Sequence, residues 1–373
     1  MGPFAERRDR LAREMERQGL WPGRAPWIRR AMEAAPRHAF APRGLWRWDG
    51  HAYAAVDRDE DEDGWADEVY GGPYDPAIVQ VTGGAATSSL SCPSVVADML
   101  DSLLLEPGCS VLELGTATGW NAALLASRAG PGRVTSVEYD AGLAARARET
   151  LAAAGADVRV EVADGSAGWP PGAPYDRLIA TYAVETVPWS WVAQTRPGGR
   201  IVTPWGRLGH VALTVAQDGA SASGWVQGLA MFMPSRLAPP DAPGPPERAD
   251  ARERRVEWEL APLWEDAHLL FALRVALPAV RVAPVRGERP MVRFEDGAGS
   301  WAEVTPDGDG GHARYGGPRG LLDEVEHAWA QWRAHGSPGL YDYGLTVTDA
   351  GRTQFAWAHD PDTGPRWPVT PDQ

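Results

Sequence analysis

The sequence predicts an α/β fold, a doubly wound and mostly parallel sheet with helices on both faces, followed by a small C-terminal α+β domain. Two observations carry the first part. Between residues 110 and 203, short apolar runs alternate with segments of helical period, the order of stacked βαβ units. Three of those runs also end in a glycine turn or an acid: VLELGTATGW, TSVEYD and EVADGS. The second part rests on LAPPDAPGPPERAD (237–250), a proline-rich linker after which the pattern changes. The expected organisation is 1–236, the linker 237–250, and 251–373.

In chain order, 5–18 and 26–35 read as short helices separated by a Gly/Trp/Pro break. The acidic run 57–67 (DRDEDEDGWAD) reads as a solvated loop. Its Asp59, Asp61, Asp63 and Gly64 imitate the start of a calcium loop, but Tyr70 stands where a bidentate Glu is required, so no metal is expected. Residues 93–105 form a helix opened by Pro93, with Val95, Val96, Met99, Leu100, Leu103 and Leu104 on one core face. Then come strand 110–114, helix 119–129, strand 133–138, helix 140–154 and strand 157–162. Strand 176–181, helix 187–196 and strand 199–203 follow, and 210–216 with 224–232 look like a hairpin. Beyond the linker, strands at 290–294, 300–304, 312–315, 343–347 and 353–358 surround one helix, 319–335. Trp329, Trp332 and Trp357 belong to its core, and no internal repeat is visible.

Composition narrows the function. A formal charge of −14 in 373 residues speaks against sequence-independent nucleic-acid binding and against docking on an anionic membrane. Cys92 and Cys109 form neither a CxxC nor a zinc pattern, which suits a reducing cytoplasm. The N-terminus lacks the apolar core of a signal peptide. The most apolar long stretch, 260–283, carries Glu265, Asp266, His268, Arg274 and Arg281, too much charge for a membrane span. His38 and His210 show no partner in the sequence and read as ordinary polar residues.

Gly115, Thr116, Ala117, Thr118 and Gly119 make a tight strand-to-helix turn of small residues, where backbone N–H groups can approach a ligand. Glu138 ends the next strand beside Tyr139 and can accept both hydroxyls of a ribose. Asp164 and Gly165 end the third, where an adenine amino group can donate. The turn lacks the third glycine of the dinucleotide fingerprint, and Glu113 within its approach would repel a pyrophosphate but suits an ammonium. S-adenosyl-L-methionine has that ammonium, a ribose and an adenine, and is the expected cofactor.

At this point the chain resembles the protein-L-isoaspartate O-methyltransferase family over roughly residues 10–235. The pieces stand in family order: PRHAFAP (36–42), SSLSCP (88–93), VLELGTATGW, VEYD, ADG, APYDRLIAT (173–181), QTRPGGRIVTPWG (194–206) and MFMPSR (231–236). GPRGLLDEVEHAWAQWRAHGSP and YGLTVTDAGRTQFAW are similar to the tail of a subgroup accompanying ribosomal peptide maturation by ATP-grasp ligases. The resemblance implies a Rossmann-like class I methyltransferase sheet. It also implies methyl esterification of an Asp carboxylate in a macrocyclic precursor peptide, whose ester can collapse to an aspartimide. The chain departs from the family at Ala117, where a glycine is usual, and at Tyr182, where a small residue is usual.

SSLSCP implies a substrate loop of Ser89, Leu90, Ser91 and Cys92, with Ser91 holding the acceptor carboxylate at the free N–H groups of the helix start. Thr181, Tyr182 and Val184 would line the opposite wall. A carboxylate is ionised at pH 7, so positioning rather than a strong base is required. The alternatives are repair of isoaspartyl damage in many proteins, methylation of RNA, and a cofactor-binding module without catalysis.

Overall fold

The computed structural model describes residues 3–206, 208–236, 251–287, 289–348 and 353–369. These divide into two compact units. The first holds the residues up to Arg236 together with Val347 and Thr348, and the second holds the remainder. The expected linker 237–250 lies outside the described residues.

The first unit opens with α1 (Pro3–Arg17) and α2 (Trp27–Ala34), and β1 (Gly44–Trp48) and β2 (Tyr53–Asp57) follow as a hairpin. The acidic run expected to be a loop is a turn over residues 58–60 and, from Glu62 onward, the start of α3 (Glu62–Val69). Asp61 caps it by accepting from the Gly64 N–H at 2.8 Å, acids fill its first turn, and Trp65, Ala66 and Val69 face inward. Asp63 and Asp67 on its outer side pair with Arg7. Glu62, Asp63 and Asp67 of the run are therefore the wet face of an amphipathic helix, and Asp59, Glu60 and Asp61 lie exposed just before it.

A second hairpin, β3 (Ala77–Thr82) and β4 (Ala85–Leu90), completes a four-stranded sheet in the order β2-β1-β3-β4. None of these strands is evident in the sequence. AATSSL in β4 is small and polar, and the β3–β4 register shifts twice, so the alternation that marks a strand is broken. SSLSCP, read as a loop, contributes Ser88–Leu90 to β4. Next, α4 (Pro93–Ser102) buries Val96, Met99 and Leu100. Leu104, assigned above to that core face, lies past the helix end with a φ of 51° and is 44% exposed.

The large sheet of this unit consists of β5 (Val111–Leu114), β6 (Val134–Glu138), β7 (Val158–Val162), β8 (Tyr175–Ala180), β9 (Thr195–Trp205), β10 (Gly209–Val215) and β11 (Ser221–Leu229). Its order is β11-β10-β9-β8-β5-β6-β7, with β5 to β9 parallel and β10 and β11 antiparallel. Every residue of β5 is buried, as a strand covered on both faces requires. The connecting helices are α5 (Trp120–Ala129), α6 (Ala141–Ala153) and the short α7 (Trp189–Ala193). The chain runs outward from β5 to β7, then returns to lay β8 on the other side of β5. Right-handed crossovers in opposite directions put α5 and α6 on one face and α7 on the other. The crevice at such a reversal, beyond the carboxyl ends of the strands, is where α/β sheets bind ligands.

The second unit contains β12 (Arg252–Val256), α8 (Ala261–Glu265), α9 (Ala267–Ala276), β13 (Arg281–Val285), β14 (Met291–Glu295), β15 (Trp301–Asp307) and β16 (Gly310–Gly316). After these come α10 (Leu321–Ala334), β17 (Tyr343–Thr348), β18 (Gln354–Ala358) and β19 (Arg366–Val369). An antiparallel sheet β12-β16-β15-β14-β13 packs Val292, Phe294 and Val304 against Leu269 and Leu273 of α9 and Val325 and Trp329 of α10. The charged apolar stretch 260–283 is thus α8, α9 and the entry to β13. No helix among the described residues is long and apolar enough to cross a membrane. Trp332 packs on the core, and its indole N–H donates to the Pro338 carbonyl at 3.0 Å.

Trp357 is fully buried, with its indole N–H on the Thr346 hydroxyl at 3.0 Å, and its ring lies where a side chain at Gly344 would stand, 2.1 Å from a Cβ there. Gly344→Ala should therefore cost about 1–3 kcal/mol by overpacking, read as a lower urea midpoint at unchanged slope.

Candidate active site

At the tip of β5, three residues take left-handed backbone: Gly115 (φ 96°), Ala117 (φ 48°) and Gly119 (φ 83°). Gly115 is glycine for a second reason. A Cβ there would lie 2.4 Å from Thr181 Oγ1 and 3.2 Å from the Tyr182 ring. The Thr181 hydroxyl donates to the Gly115 carbonyl at 2.6 Å, tying the tips of β5 and β8 across the reversal point. Behind them, the Thr116 and Ser136 hydroxyls are hydrogen-bonded at 2.6 Å. Thr118 Oγ1 accepts from the Trp120 N–H at 3.4 Å, and Gly119 rests on Leu151 as the cap of α5.

Glu113 does not reach a ligand as expected. Its carboxyl is fully buried; Oε1 accepts from Asn121 Nδ2 at 2.8 Å and Oε2 from the Ser136 hydroxyl. Burial pushes it up to about 7, against the pull of the Ser136 and Asn121 hydrogen bonds. Glu113 braces the turn from beneath, and an ammonium would have no exposed oxygen to meet.

Glu138 is only 6% exposed. One oxygen accepts from the Ala117 N–H at 2.9 Å and the other from the Asp140 N–H at 3.1 Å. Each carboxylate oxygen can accept more than once, so acceptor capacity remains at the rim. Tyr139 beside it is 54% exposed. Asp164 caps a single helical turn, accepting from the Ser166 N–H at 2.8 Å and the Ser166 hydroxyl at 2.6 Å. A Cβ on Gly165 would lie 2.5 Å from the Tyr182 hydroxyl. The turn, Glu138, Asp164, Gly165, Thr181 and Tyr182 therefore form one cluster across four strand ends. Its chemistry of small backbone and two carboxylates fits an adenosine-type ligand.

The acceptor side is built from β4 and the start of α4. Ser91 is half-buried, and its hydroxyl makes no hydrogen bond among the described residues. The expectation of free N–H groups at the helix start is met only in part. Pro93 has no N–H and the Ser94 N–H donates to the Pro73 carbonyl at 3.0 Å, while the capping residue Cys92 makes no side-chain cap hydrogen bond. Positive charge comes instead from Arg37 of PRHAFAP, which the sequence reading quoted without giving it a role. Its buried guanidinium donates to the carbonyls of Ser91 (2.5 Å), Leu90 (3.3 Å) and Val69 (2.8 Å) and lies over the Trp120 ring at 5.0 Å. Burial lowers it to about 10, still cationic at pH 7. Arg37 thus joins the Ser89–Cys92 segment to the first residue of α5. Only its presence in a motif could have drawn attention to it.

Val184 binds the Pro204 carbonyl at 3.2 Å, and Ala183 exchanges backbone hydrogen bonds with Met233 and Ser235, so MFMPSR borders the tip of β8. Arg236 then reaches Asp140 (3.0 Å), Gln80 (2.5 Å) and the Thr87 carbonyl (3.1 Å), while Gln80 donates to Asp140 at 3.0 Å. The Gln80 amide first, then the Leu143 N–H and Arg236, hold the Asp140 carboxyl well below its usual range. This polar knot fastens the β3–β4 hairpin over the end of β6, and no local spacing marks it. Both histidines have partners. His38 Nδ1 lies 2.6 Å from the Tyr70 hydroxyl, and His210 Nε2 lies 3.4 Å from Ser102 Oγ. Burial lowers His210 to about 4. Among the described residues no cluster could hold a metal ion.

A family model, protein-L-isoaspartate(D-aspartate) O-methyltransferase, matches residues 6–234. The chain is 36% identical over 213 residues to a protein-L-isoaspartate O-methyltransferase of Methylorubrum extorquens, covering 57% of this chain and 80% of that protein. It is 33% identical over 234 residues to one from a Synechococcus species, covering 60% and 82%. A solved protein-L-isoaspartate O-methyltransferase structure aligns over 91% of this chain and 96% of its own, at 20% identity and a TM-score of 0.47.

Ala117→Gly should stabilise the first unit by about 1 kcal/mol, because glycine holds a left-handed backbone without the Cβ clash; thermal unfolding checks it. Glu113 binds its proton more tightly folded than unfolded. Its contribution is full below the ordinary value of 4.5 and is lost as pH rises through about 7. Stability of the wild type minus that of Glu113→Gln should therefore fall by about 3 kcal/mol between pH 4 and pH 8, measured by urea unfolding across that range.

Proposed function

The chain belongs to the protein-L-isoaspartate(D-aspartate) O-methyltransferase family, and from that premise we propose that it esterifies the free carboxylate of an isoaspartyl or aspartyl residue in a peptide. It is an S-adenosyl-L-methionine-dependent carboxyl O-methyltransferase. The observation that carries the acceptor assignment is Ser91: a hydroxyl with no partner among the described residues, on a segment whose carbonyls are fixed by a buried Arg37.

When bound, S-adenosyl-L-methionine supplies an electrophilic methyl on a sulfonium. Glu138 and Asp164 would accept from its ribose and adenine, and the Gly115–Gly119 turn would lie along its amino-acid part. Glu113 supports that turn without touching the ligand. The acceptor carboxylate is already ionised, so the chain has no proton to remove. The Ser91 hydroxyl donates to one carboxylate oxygen and leaves the other to face the methyl. Arg37, one shell behind, favours an anion there. Thr181 keeps the turn and the β8 tip at fixed spacing, so the two substrates meet in one geometry. In the ester, the following backbone nitrogen can attack the acyl carbon and expel methanol, giving a succinimide with no further protein group.

A second reading takes a macrocyclised, ribosomally made precursor peptide as acceptor. It is favoured by the second unit, which lies beyond the family match at residue 234. Residues 251–373 then serve peptide recognition, and the product is an aspartimide. Incubating the protein with S-adenosyl-L-methionine and either a linear isoaspartyl peptide or a macrocyclic one, followed by mass spectrometry, separates the readings. Gain of one methyl followed by loss of methanol on the linear peptide supports repair, and the same on the macrocycle alone supports maturation. Methylation of neither peptide contradicts both. Ser91→Ala should lower kcat/KM about tenfold to a hundredfold with little change in cofactor affinity, the loss of one hydrogen bond to a charged group. Glu138→Ala should chiefly weaken cofactor binding in calorimetry.

A further inference from the structure

The residue after Thr181 stood in the sequence as part of the acceptor wall, but the structure sets it among the nucleoside groups. The Tyr182 ring leaves the β8 tip and runs between two glycines, Gly115 after β5 and Gly165 after β7. Gly115 has a left-handed φ that explains its identity. Gly165 does not, being absent from the positive-φ positions. What excludes a side chain at Gly165 is the Tyr182 hydroxyl, 2.5 Å from where its Cβ would stand. The two residues are fitted to each other, and the fit concerns the hydroxyl rather than the ring.

Trp191 fixes the arrangement. Fully buried, it meets the Tyr182 ring edge-on at 6.2 Å, and its indole N–H donates to the Gly165 carbonyl at 2.8 Å. The Tyr182 hydroxyl itself makes no hydrogen bond among the described residues. Burial, then the charges of Asp164 and Glu138, keep it protonated far above neutral pH, so the hydroxyl keeps its proton and can donate. Asp164 and Glu138 can only accept. An adenosine also has acceptors, in its ring nitrogens and ribose oxygen, which carboxylates cannot serve.

We propose that Tyr182 is a cofactor-contact residue, its hydroxyl donating a hydrogen bond to an acceptor atom of the bound nucleoside. The proposal rests on the family reading above and deepens it by assigning a donor where the family pattern has a small residue. It predicts that the contact is made by the adenosine part and not by the amino-acid part or the peptide.

Calorimetry with S-adenosyl-L-homocysteine, and competition with adenosine alone, test it on wild type and Tyr182→Phe, which keeps the ring. The expected result is a fivefold to tenfold weaker Kd for both ligands in Tyr182→Phe, with the melting temperature and the peptide KM within error of wild type. Tyr182→Ala should weaken both further. Unchanged nucleoside affinity in Tyr182→Phe overturns the proposal, and a raised peptide KM alongside it returns the residue to the acceptor wall. Loss for S-adenosyl-L-homocysteine but not adenosine also overturns it. Absence of heat with wild type is a different failure, since it removes the family reading and the proposal together.

Discussion

Gly115 lacks a side chain because the tip of β8 stands where one would go. The Thr181 hydroxyl closes on the Gly115 carbonyl at 2.6 Å, and this contact joins the two strands between which the chain reverses its direction across the sheet. Everything chemical hangs from it. The turn after β5 takes its path from that approach, and Glu138 receives the Ala117 N–H only because the turn bends toward β6. The Tyr182 ring follows Thr181 into the gap between Gly115 and Gly165. A methyl group at Gly115 would separate β5 from β8 and disperse the cluster.

Beneath the turn lies a small polar core: Glu113, Asn121, Ser136 and the Thr116 hydroxyl, connected by hydrogen bonds. Burying a carboxyl is costly unless it is hydrogen-bonded or protonated, and Glu113 uses both routes. Such a network fixes one turn geometry where an apolar filling would tolerate several. The same division of labour recurs on the acceptor side. Arg37 touches no substrate, yet it holds the carbonyls of Leu90 and Ser91 against the ring of Trp120. On both sides an ionisable group that is fully or almost fully buried, Glu113 or Arg37, orients the segment proposed to meet the ligand.

The candidate site residues divide the same way in how visible they were. Glu138, Asp164, Gly115 and Gly119 lie at strand ends, so a period-two run followed by an acid or a glycine locates them without coordinates. Glu113 was identified as chemically special, but its direction was misread, because strand alternation alone does not say which face a tip residue turns to. Arg37, Gln80, Asp140 and Arg236 could not be found by spacing. The last three meet across up to 156 positions of chain and Arg37 reaches Ser91 across 54, and nothing local marks an arginine that will end up beneath a serine loop. The helix start at Pro93 shows the opposite error. The local signal was right, yet Pro73, twenty residues upstream, had already taken the N–H of Ser94.

The sequence by itself determined the α/β class, the strand–helix order from 110 to 203, the helix read at 319–335, and the set of strand tips proposed to hold a nucleoside, because hydrophobic period and turn chemistry are local properties of the chain. The four-stranded sheet of β1 to β4, the helix inside the acidic run, the saturation of Glu113 and the place of Tyr182 between two glycines were decided only by tertiary structure. Their physical reason is common to all four. Each depends on which distant group arrives to bury a face, accept a proton or fill a gap, and that is settled when β8 returns to lie beside β5.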